Sequence, residues 1–558
     1  MTQSPSFKQF SGNLSEPDWW RGGVVYQIYP RSYQDSNGDG IGDLNGITQR
    51  LPYIAALGVD AIWLSPFFKS PMKDFGYDVS DYCSVDPMFG TLDDFSTMLD
   101  QAHKLGLRVI IDQVLSHTAD VHPWFVESRA SKTNPQADWY VWAEAKEDGT
   151  PPNNWLSIFG GSGWQWDTAR EQYYLHNFLT SQPDLNVHNV QVQEMLVDSM
   201  RFWLELGVDG FRFDTVNFYM HDPLLRDNPA RGRPQGDDGA VSGVNPYGWQ
   251  WHQYDKTQPE NIAFLQKIRQ LLDGYPGITT VGEVGADDSL GVMAEYTNGG
   301  DKLHTAYSFD LLSEACSAPH FHATFSNFEE RVTDGLACWA ISNHDVVRFA
   351  TRWGSAPGIP ATPPALKLYA SMQLSLRGSL CIYQGDELGL PEADLSFDQL
   401  QDPYGITMWP AFKGRDGCRT PMPWSAAAPQ AGFTSADKPW LPVAEPHLAL
   451  AVDLQQQQSD SLLAHYQHFL TWRKTLPVLV TGSVSLLAVD EQVLAFVREQ
   501  DGKQLLCAFN LSNTAASYAL PAGLGQLDPC EGHGFGQASV KGQQLELAAW
   551  GACFAWVG

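Results

Sequence analysis

Three acidic residues close short apolar segments: Asp214 ends GFRFD, Glu283 follows TTVG, and Asp345 ends WAISNHD. Carboxylates brought together suit glycoside hydrolysis. One ionised group attacks or stabilises an oxocarbenium-like centre while a protonated partner donates to the leaving oxygen. Arg212 precedes Asp214 by two residues. In a strand that spacing puts both side chains on one face, where the guanidinium keeps the carboxyl ionised. His117 and His344 stand at comparable strand ends in LSH and NHD. A separate signal is Asp35-Ser-Asn-Gly-Asp-Gly-Ile-Gly-Asp43, with oxygen ligands at alternating positions and glycine for a sharp turn, a pattern that fits a hard cation. Gly46 occupies the twelfth position, where an EF-hand requires a bidentate Glu, so a true EF-hand is excluded.

The elements that must carry these groups are eight strand-like segments: 24–30, 61–66, 108–114, 210–214, 279–284, 305–310, 339–345 and 379–387. Several are buried-strand runs (VIIDQV, TTVGEV, SLCIYQGDE) separated by stretches of helical period, the signature of repeated βα units around a parallel sheet. Eight such units predict an α/β fold, a closed (β/α)₈ TIM barrel. Active sites of such barrels sit at the C-terminal face, where Asp112, Asp214, Glu283 and Asp345 are placed.

Around this barrel the pattern breaks twice. Residues 117–183 replace βα alternation with Trp, Asn, Pro and Gly, predicting a loop-rich inserted domain after strand three on the catalytic face. Residues 388–442 form an irregular, Pro-rich subdomain after strand eight. The barrel is therefore expected over 1–116 and 184–477. Alternating segments such as VLAFVRE and LLCAFNLS predict a C-terminal antiparallel β domain over 478–558. Smaller expectations are a helix at 192–206 with Met195, Leu196, Met200, Trp203 and Leu204 on one stripe, a helix from Leu462 to Leu476 stopped by Pro477, and a surface loop at Gln455 to Gln458.

A chain of 558 residues with 43% hydrophobic content can bury a large core. Its net charge of −29 repels phosphate backbones and anionic lipid, which argues against nucleic-acid and membrane partners and for a neutral substrate. No apolar leader and no long apolar run stand in the sequence, and the eight cysteines form no CxxC pair. Free thiols and a cytoplasmic location are expected.

GFRFDTVN, VGEV and SNHD, together with DQVLSH after strand three and QPDLN at Gln182 to Asn186, resemble in order the motifs of the α-amylase superfamily of retaining glycoside hydrolases. The resemblance runs from about Trp19 to the end. GVVYQIYPRSYQDSNGDGIGDL, FGYDVSDY and RDGCRTPMPW resemble its α-glucosidase and oligo-1,6-glucosidase branch in particular. The resemblance implies Asp214 as nucleophile, Glu283 as general acid/base and Asp345 as transition-state stabiliser. It implies that His117 and His344 hydrogen-bond sugar hydroxyls, that Tyr77 is the platform beneath the terminal glucose, and that Asp74 and Arg415 grip the non-reducing end and close the cleft into a pocket. Phe159 and Gln182 are expected to line it. Asp35, Asn37, Asp39, the Ile41 carbonyl and Asp43 resemble the ligands of a structural Ca²⁺ site, and no organic cofactor is expected. Gln113 and Ser116 stand where the commoner motif has Val and Asn, so a second calcium is not expected there.

Thr215 resembles the α-1,4-preferring members, whereas Val at that place accompanies α-1,6 preference. The expected activity is thus an exo-acting retaining α-glucosidase on short, maltose-like α-glucosides, with transglucosylation, as a monomer or homodimer. The alternatives are an oligo-1,6-glucosidase or a sucrose- or trehalose-converting relative and, more remotely, a non-catalytic amylase-like binding module.

Overall fold

The computed structural model describes residues 16–233, 241–354, 356 and 358–558. Eight parallel strands form the centre: β1 (Val24–Ile28), β2 (Ala61–Leu64), β3 (Arg108–Gln113), β4 (Gly210–Phe213), β5 (Thr279–Val284), β6 (Thr305–Ser308), β7 (Cys338–Ala340) and β8 (Ser379–Tyr383). They pair in the order β6-β5-β4-β3-β2-β1-β8-β7. A parallel bridge between Ala306 and Ala337 joins the outer two and closes the barrel. The strand residues are buried throughout, as strands covered on both faces must be. Alternate residues point inward, and Val25, Ala61, Trp63, Ile110, Val281, Tyr307 and Cys381 share one apolar cluster.

Eight helices follow the strands in turn: α1 (Leu44–Leu57), α2 (Leu92–Lys104), α3 (Val190–Leu206), α4 (Asn261–Leu272), α5 (Ser289–Thr297), α6 (Ala318–Arg331), α7 (Pro363–Gln373) and α8 (Leu462–Lys474). Their boundaries follow local chemistry. A capping box between Thr91 and Asp94 starts α2, and Gly207 at φ 104° ends α3 in the left-handed conformation that suits glycine.

Three details differ from the sequence reading. Met195 is 39% exposed while its neighbours Leu196, Met200 and Trp203 are buried, because the apolar stripe of α3 is narrower than the run of apolar residues. Gln455 ends a short helix and is buried, its amide bonded to the Leu388 and Leu450 carbonyls, so only the glutamines after it are exposed. Pro477 does not stop α8, which already ends at Lys474; it starts the short helix Pro477–Val480, where a proline needs no N–H.

After β3 the chain forms the helix Pro123–Ala130 and a small sheet in which Gln172–Leu175 pairs with Trp142–Ala143 and Trp164–Asp167. Val141, Trp155, Trp164 and Leu175 give this insertion its own apolar cluster. The C-terminal strands, from Ser483 onward, form a five-stranded and a three-stranded sheet, with Val493, Leu506, Tyr518 and Leu545 packed between them. All eight cysteines are free thiols. Among the described residues no helix is long and apolar enough to cross a membrane.

Candidate active site

The inward positions of adjacent strands meet at the C-terminal mouth of the barrel. Parallel register sets Arg212 on β4 beside Asp112 on β3, and Glu283 on β5 beside Tyr307 on β6. Arg212 is wholly buried, and its guanidinium reaches Asp112 at 2.9 Å, Asp214 at 2.6 Å and Glu283 at 2.7 Å. One cation thus holds three carboxyls. Burial raises Asp214 and Glu283 to about 7 each, outweighing the Arg212 guanidinium that was expected to keep Asp214 ionised. The pair therefore holds a proton near neutrality, as an acid catalyst requires.

Asp345 lies not on β7 but five residues past its end, oriented by a backbone bond to Asn343 Oδ1 at 2.8 Å. Burial acts upward on its carboxyl, but His344, Arg415, Arg419 and Arg212 outweigh it and hold the group well below the usual carboxylate range. It is a fixed negative charge beside the Asp214–Glu283 pair.

Thr215 takes a left-handed conformation at φ 40°, ψ 50°, which is strained for a β-branched residue. That turn aims its N–H at Glu283 Oε2, 3.0 Å away, and sets its hydroxyl 3.3 Å from Asp214 Oδ2. Strain at this position coincides with the chemistry, a pattern that active sites tolerate.

A cleft of about 180 Å³ opens here, lined by Asp214, Glu283, Asp345, Thr215, Tyr77 and His117. Asp74, Arg415 and Phe159 line it as well. Arg415 Nη2 donates to Asp74 at 2.9 Å and to Asp402 at 2.8 Å, with its guanidinium stacked 5.0 Å from the Phe159 ring centroid. Burial raises Asp74 to about 6 against the pull of Arg415.

Arg212, Gln182 and His344 are brought to the same place but do not line the cleft. Each is fully buried behind the wall. Gln182 donates to Asp74 at 2.9 Å, and His344 bonds Gln27 at 2.7 Å and the Tyr77 hydroxyl. Burial lowers both imidazoles, His117 to about 4, while the neighbouring Asp345 pulls His344 back up against it.

Sequence reasoning missed several groups. Arg419 bonds Asp345 at 2.9 Å and the His344 carbonyl at 2.7 Å. Asp402 anchors Arg415. Phe178, Phe218, Phe309, Tyr247 and Lys256 extend the cleft beyond the acids. Arg419 stood inside RDGCRTPMPW and was legible as a second cation there; the others carry no spacing signal, because irregular loops deliver them.

The Asp35–Asp43 loop lies apart from the cleft, folded against the segment around Phe433 and Thr434. Asp35 accepts from Asn37, Gly38 and Gly40 N–H groups, and Asp43 caps α1 through Gly46 N–H at 2.7 Å. Gly46 is required because a Cβ there would meet the Gln34 carbonyl at 1.9 Å. Both Asp35 oxygens already accept two bonds each, whereas Asn37 Oδ1, Asp39 and Asp43 Oδ2 accept at most one and keep a lone pair, so these oxygen donors fit a hard cation in kind and Asp35 would have to give up a bond to join them. Among the described residues no three His, Cys, Asp or Glu side chains converge as metal ligands, so an ion here would draw on the Asn37 amide and backbone carbonyls such as Ile41.

A sequence profile of the α-amylase catalytic domain matches residues 27–482, and the chain belongs to the α-amylase family of glycoside hydrolases. It is an enzyme of the α-glucosidase type. It is 55% identical over 554 residues to a probable α-glucosidase of Rhizobium meliloti (strain 1021), covering 99% of each chain. It is 36% identical to an oligo-1,6-glucosidase of Heyndrickxia coagulans, covering 90% of this chain and 94% of that one. Among solved structures, the alpha-glucosyl transfer enzyme XgtA superposes with a TM-score of 0.93 at 56% identity, over 97% of this chain and 99% of that one. The trehalulose synthase MutB of Pseudomonas mesoacidophila MX-45 superposes with a TM-score of 0.86 at 32% identity, over the same shares.

Proposed function

We propose that the protein is an exo-acting, retaining α-glucosidase that releases terminal α-1,4-linked glucose from short α-glucosides and transfers part of it to acceptor alcohols. The observation that carries the reading is a cleft lined by three carboxyls and capped by the Asp74–Arg415 ion pair. Asp214 attacks the anomeric carbon, Glu283 protonates the leaving oxygen and later activates water or an acceptor, and Asp345 stabilises the positive charge that develops on the sugar. A single guanidinium touching both Asp214 and Glu283 supports the short carboxyl separation, about 5 Å, of a retaining pair. Transfer is supported by the likeness to a glucosyl transfer enzyme.

Tyr77 serves as the sugar platform, His117 faces the sugar hydroxyls, and His344, Gln182 and Arg212 hold the groups that do. In this reading Ca²⁺ occupies the Asp35–Asp43 loop, held by Asp35, Asn37, Asp39, Asp43 and the Ile41 carbonyl, as a structural ion distant from the chemistry. In this reading the barrel runs over the described residues from 16 to 116 and from 184 to 477, the insertion over 117–183 and the C-terminal domain over 478–558, with residues 1–15 of the expected first segment lying outside the described residues. Free thiols fit a cytoplasmic setting.

The test is glucose release from maltose, isomaltose, sucrose, trehalose and maltotriose. Maltose and maltotriose are expected to lead. Isomaltose in the lead would favour the oligo-1,6-glucosidase reading, sucrose or trehalose a converting enzyme, and inertness toward all five a binding module.

A further inference from the structure

Tyr307 touches the reacting centre without lining the cleft. It is 2% exposed and faces into the barrel beside Glu283. Arg212 Nη2 donates to its hydroxyl at 2.8 Å, and that hydroxyl lies 3.1 Å from Glu283 Oε1. A guanidinium has no acceptor atom, so the contact with Arg212 consumes a lone pair of the phenol and leaves the phenolic proton for Glu283.

The other oxygen of Glu283 has different company. Oε2 faces Arg212 Nη2 at 2.7 Å and the Thr215 N–H at 3.0 Å, both obligate donors. A carboxyl proton on Oε2 would point into two N–H groups. On Oε1 it meets a hydroxyl that can donate or accept.

We propose that Tyr307 is a positioning residue that fixes Oε1 as the oxygen through which Glu283 gives up and regains its proton. The proposal rests on the reading of Glu283 as acid/base. In the first half-reaction the Oε1 proton passes to the glycosidic oxygen as its bond to the anomeric carbon breaks and the bond to Asp214 forms. Glu283 is left as a carboxylate, which Tyr307 stabilises by donating to Oε1. In the second, Oε1 takes a proton from water as the water oxygen bonds the anomeric carbon and the Asp214 ester breaks.

The charged groups acting on Glu283 are Arg212 and Asp214 from the β4 end, Asp112 from β3, and Asp345 after β7. A donor to the ionised form lowers proton affinity, and removing it raises that affinity. The competing account is that Tyr307 only braces Arg212, in which case its loss reaches Glu283 through a displaced guanidinium, whereas a fluorinated ring that keeps the brace leaves the titration of Glu283 unchanged.

The test is the pH dependence of kcat/KM on maltose for Tyr307→Phe and for protein carrying a ring-fluorinated tyrosine at position 307, a stronger donor of nearly the same shape that keeps the site intact should the Phe variant fold poorly. The alkaline limb is expected to move up by about one pH unit with Phe and down with the fluorinated ring. A limb that stays at the wild-type position with the fluorinated ring, whatever happens to kcat or thermal stability, overturns the proposal. The acid/base reading is checked separately through Glu283→Gln: full activity of that variant on maltose removes the reading itself, and the proposal with it.

Discussion

Arg415 Nη2 lies 2.9 Å from Asp74 Oδ1, joining the loop after β2 to the segment after β8 in the lining of the cleft. Asp74 is also held by Gln182, and Arg415 keeps Asp402 and Asp345 as partners when Asp74 is removed. The cost of losing Asp74 is therefore a cost in sugar binding rather than an orphaned cation. Asp74→Ala is expected to lower kcat/KM for maltose by at least about 2 kcal/mol, or roughly 30-fold, while the protein stays folded. Kinetics normalised to titrated active sites check this, and wild-type values per folded site would show that Asp74 merely anchors its loop.

Asp214→Asn and Glu283→Gln should each lower kcat by several orders of magnitude, since a double displacement needs both groups. They differ in one respect. With an activated glucosyl fluoride, Glu283→Gln still forms a glucosyl-enzyme because the leaving group needs no acid, whereas Asp214→Asn has nothing to form it with. Mass spectrometry of the intact protein distinguishes the two, and a covalent adduct in Asp214→Asn would displace it as the nucleophile.

Much of this arrangement was legible in the sequence because strand period and motif order both point at the barrel mouth. Asp214 and Glu283 end buried strands, so the rule that inward residues alternate placed them beside Arg212. The same rule applied to TAYS would have found Tyr307, which faces inward one strand from Glu283. Asp345 was reached as the end of a strand-like segment at 339–345, but the strand itself stops at Ala340 and an irregular stretch carries the residue to the mouth. Arg415 and Asp402 had to be brought together by an irregular segment with no period to read, and only motif resemblance reached one of them. Buried Gln455 shows the same limit: a polar run reads as surface unless the carbonyls it satisfies are visible.

Thr215→Val keeps the β-branched side chain in its left-handed conformation but removes the hydroxyl that lies 3.3 Å from both Asp214 Oδ2 and Ser116 Oγ. A methyl then faces the cleft beside the nucleophile. The preference between maltose and isomaltose should move toward isomaltose by about 1 to 3 kcal/mol in relative barrier. Competition between the two sugars measures it directly, and an unchanged ratio would assign linkage choice to the surrounding loops.

Chelation should lower the melting temperature, because an ion bound only to the folded state stabilises it by about 2.7 kcal/mol when its concentration is a hundred times its Kd. The loop packs on the backbone around Phe433 and lies apart from the cleft, so turnover by protein that remains folded should persist. Coincident melting curves for metal-free and calcium-loaded protein would remove the ion from the loop.

Asp184 predicts how stability depends on pH. It is 4% exposed, its Oδ2 accepts from Asn177 at 2.5 Å, and among the described residues its Oδ1 has no partner. Burial raises the carboxyl to about 8. The unfolded value is about 3.9. Between those values the folded state binds more protons than the unfolded one, so this group's contribution to stability declines as pH rises and is lost on passing the folded value. Asn at this position mimics the neutral acid in shape and cannot titrate. Asp184→Asn should therefore already melt above the wild type at pH 6, by a margin that widens up to about pH 8 and then holds. Asp214, Glu283 and Asp386 are also raised, to about 7 each, so both proteins lose stability across the range and only the difference between them isolates Asp184. Parallel melting temperatures from pH 6 to 9 would show that Asp184 keeps the same charge throughout that range, and the carboxyl would then have to be ionised in the folded protein despite its burial.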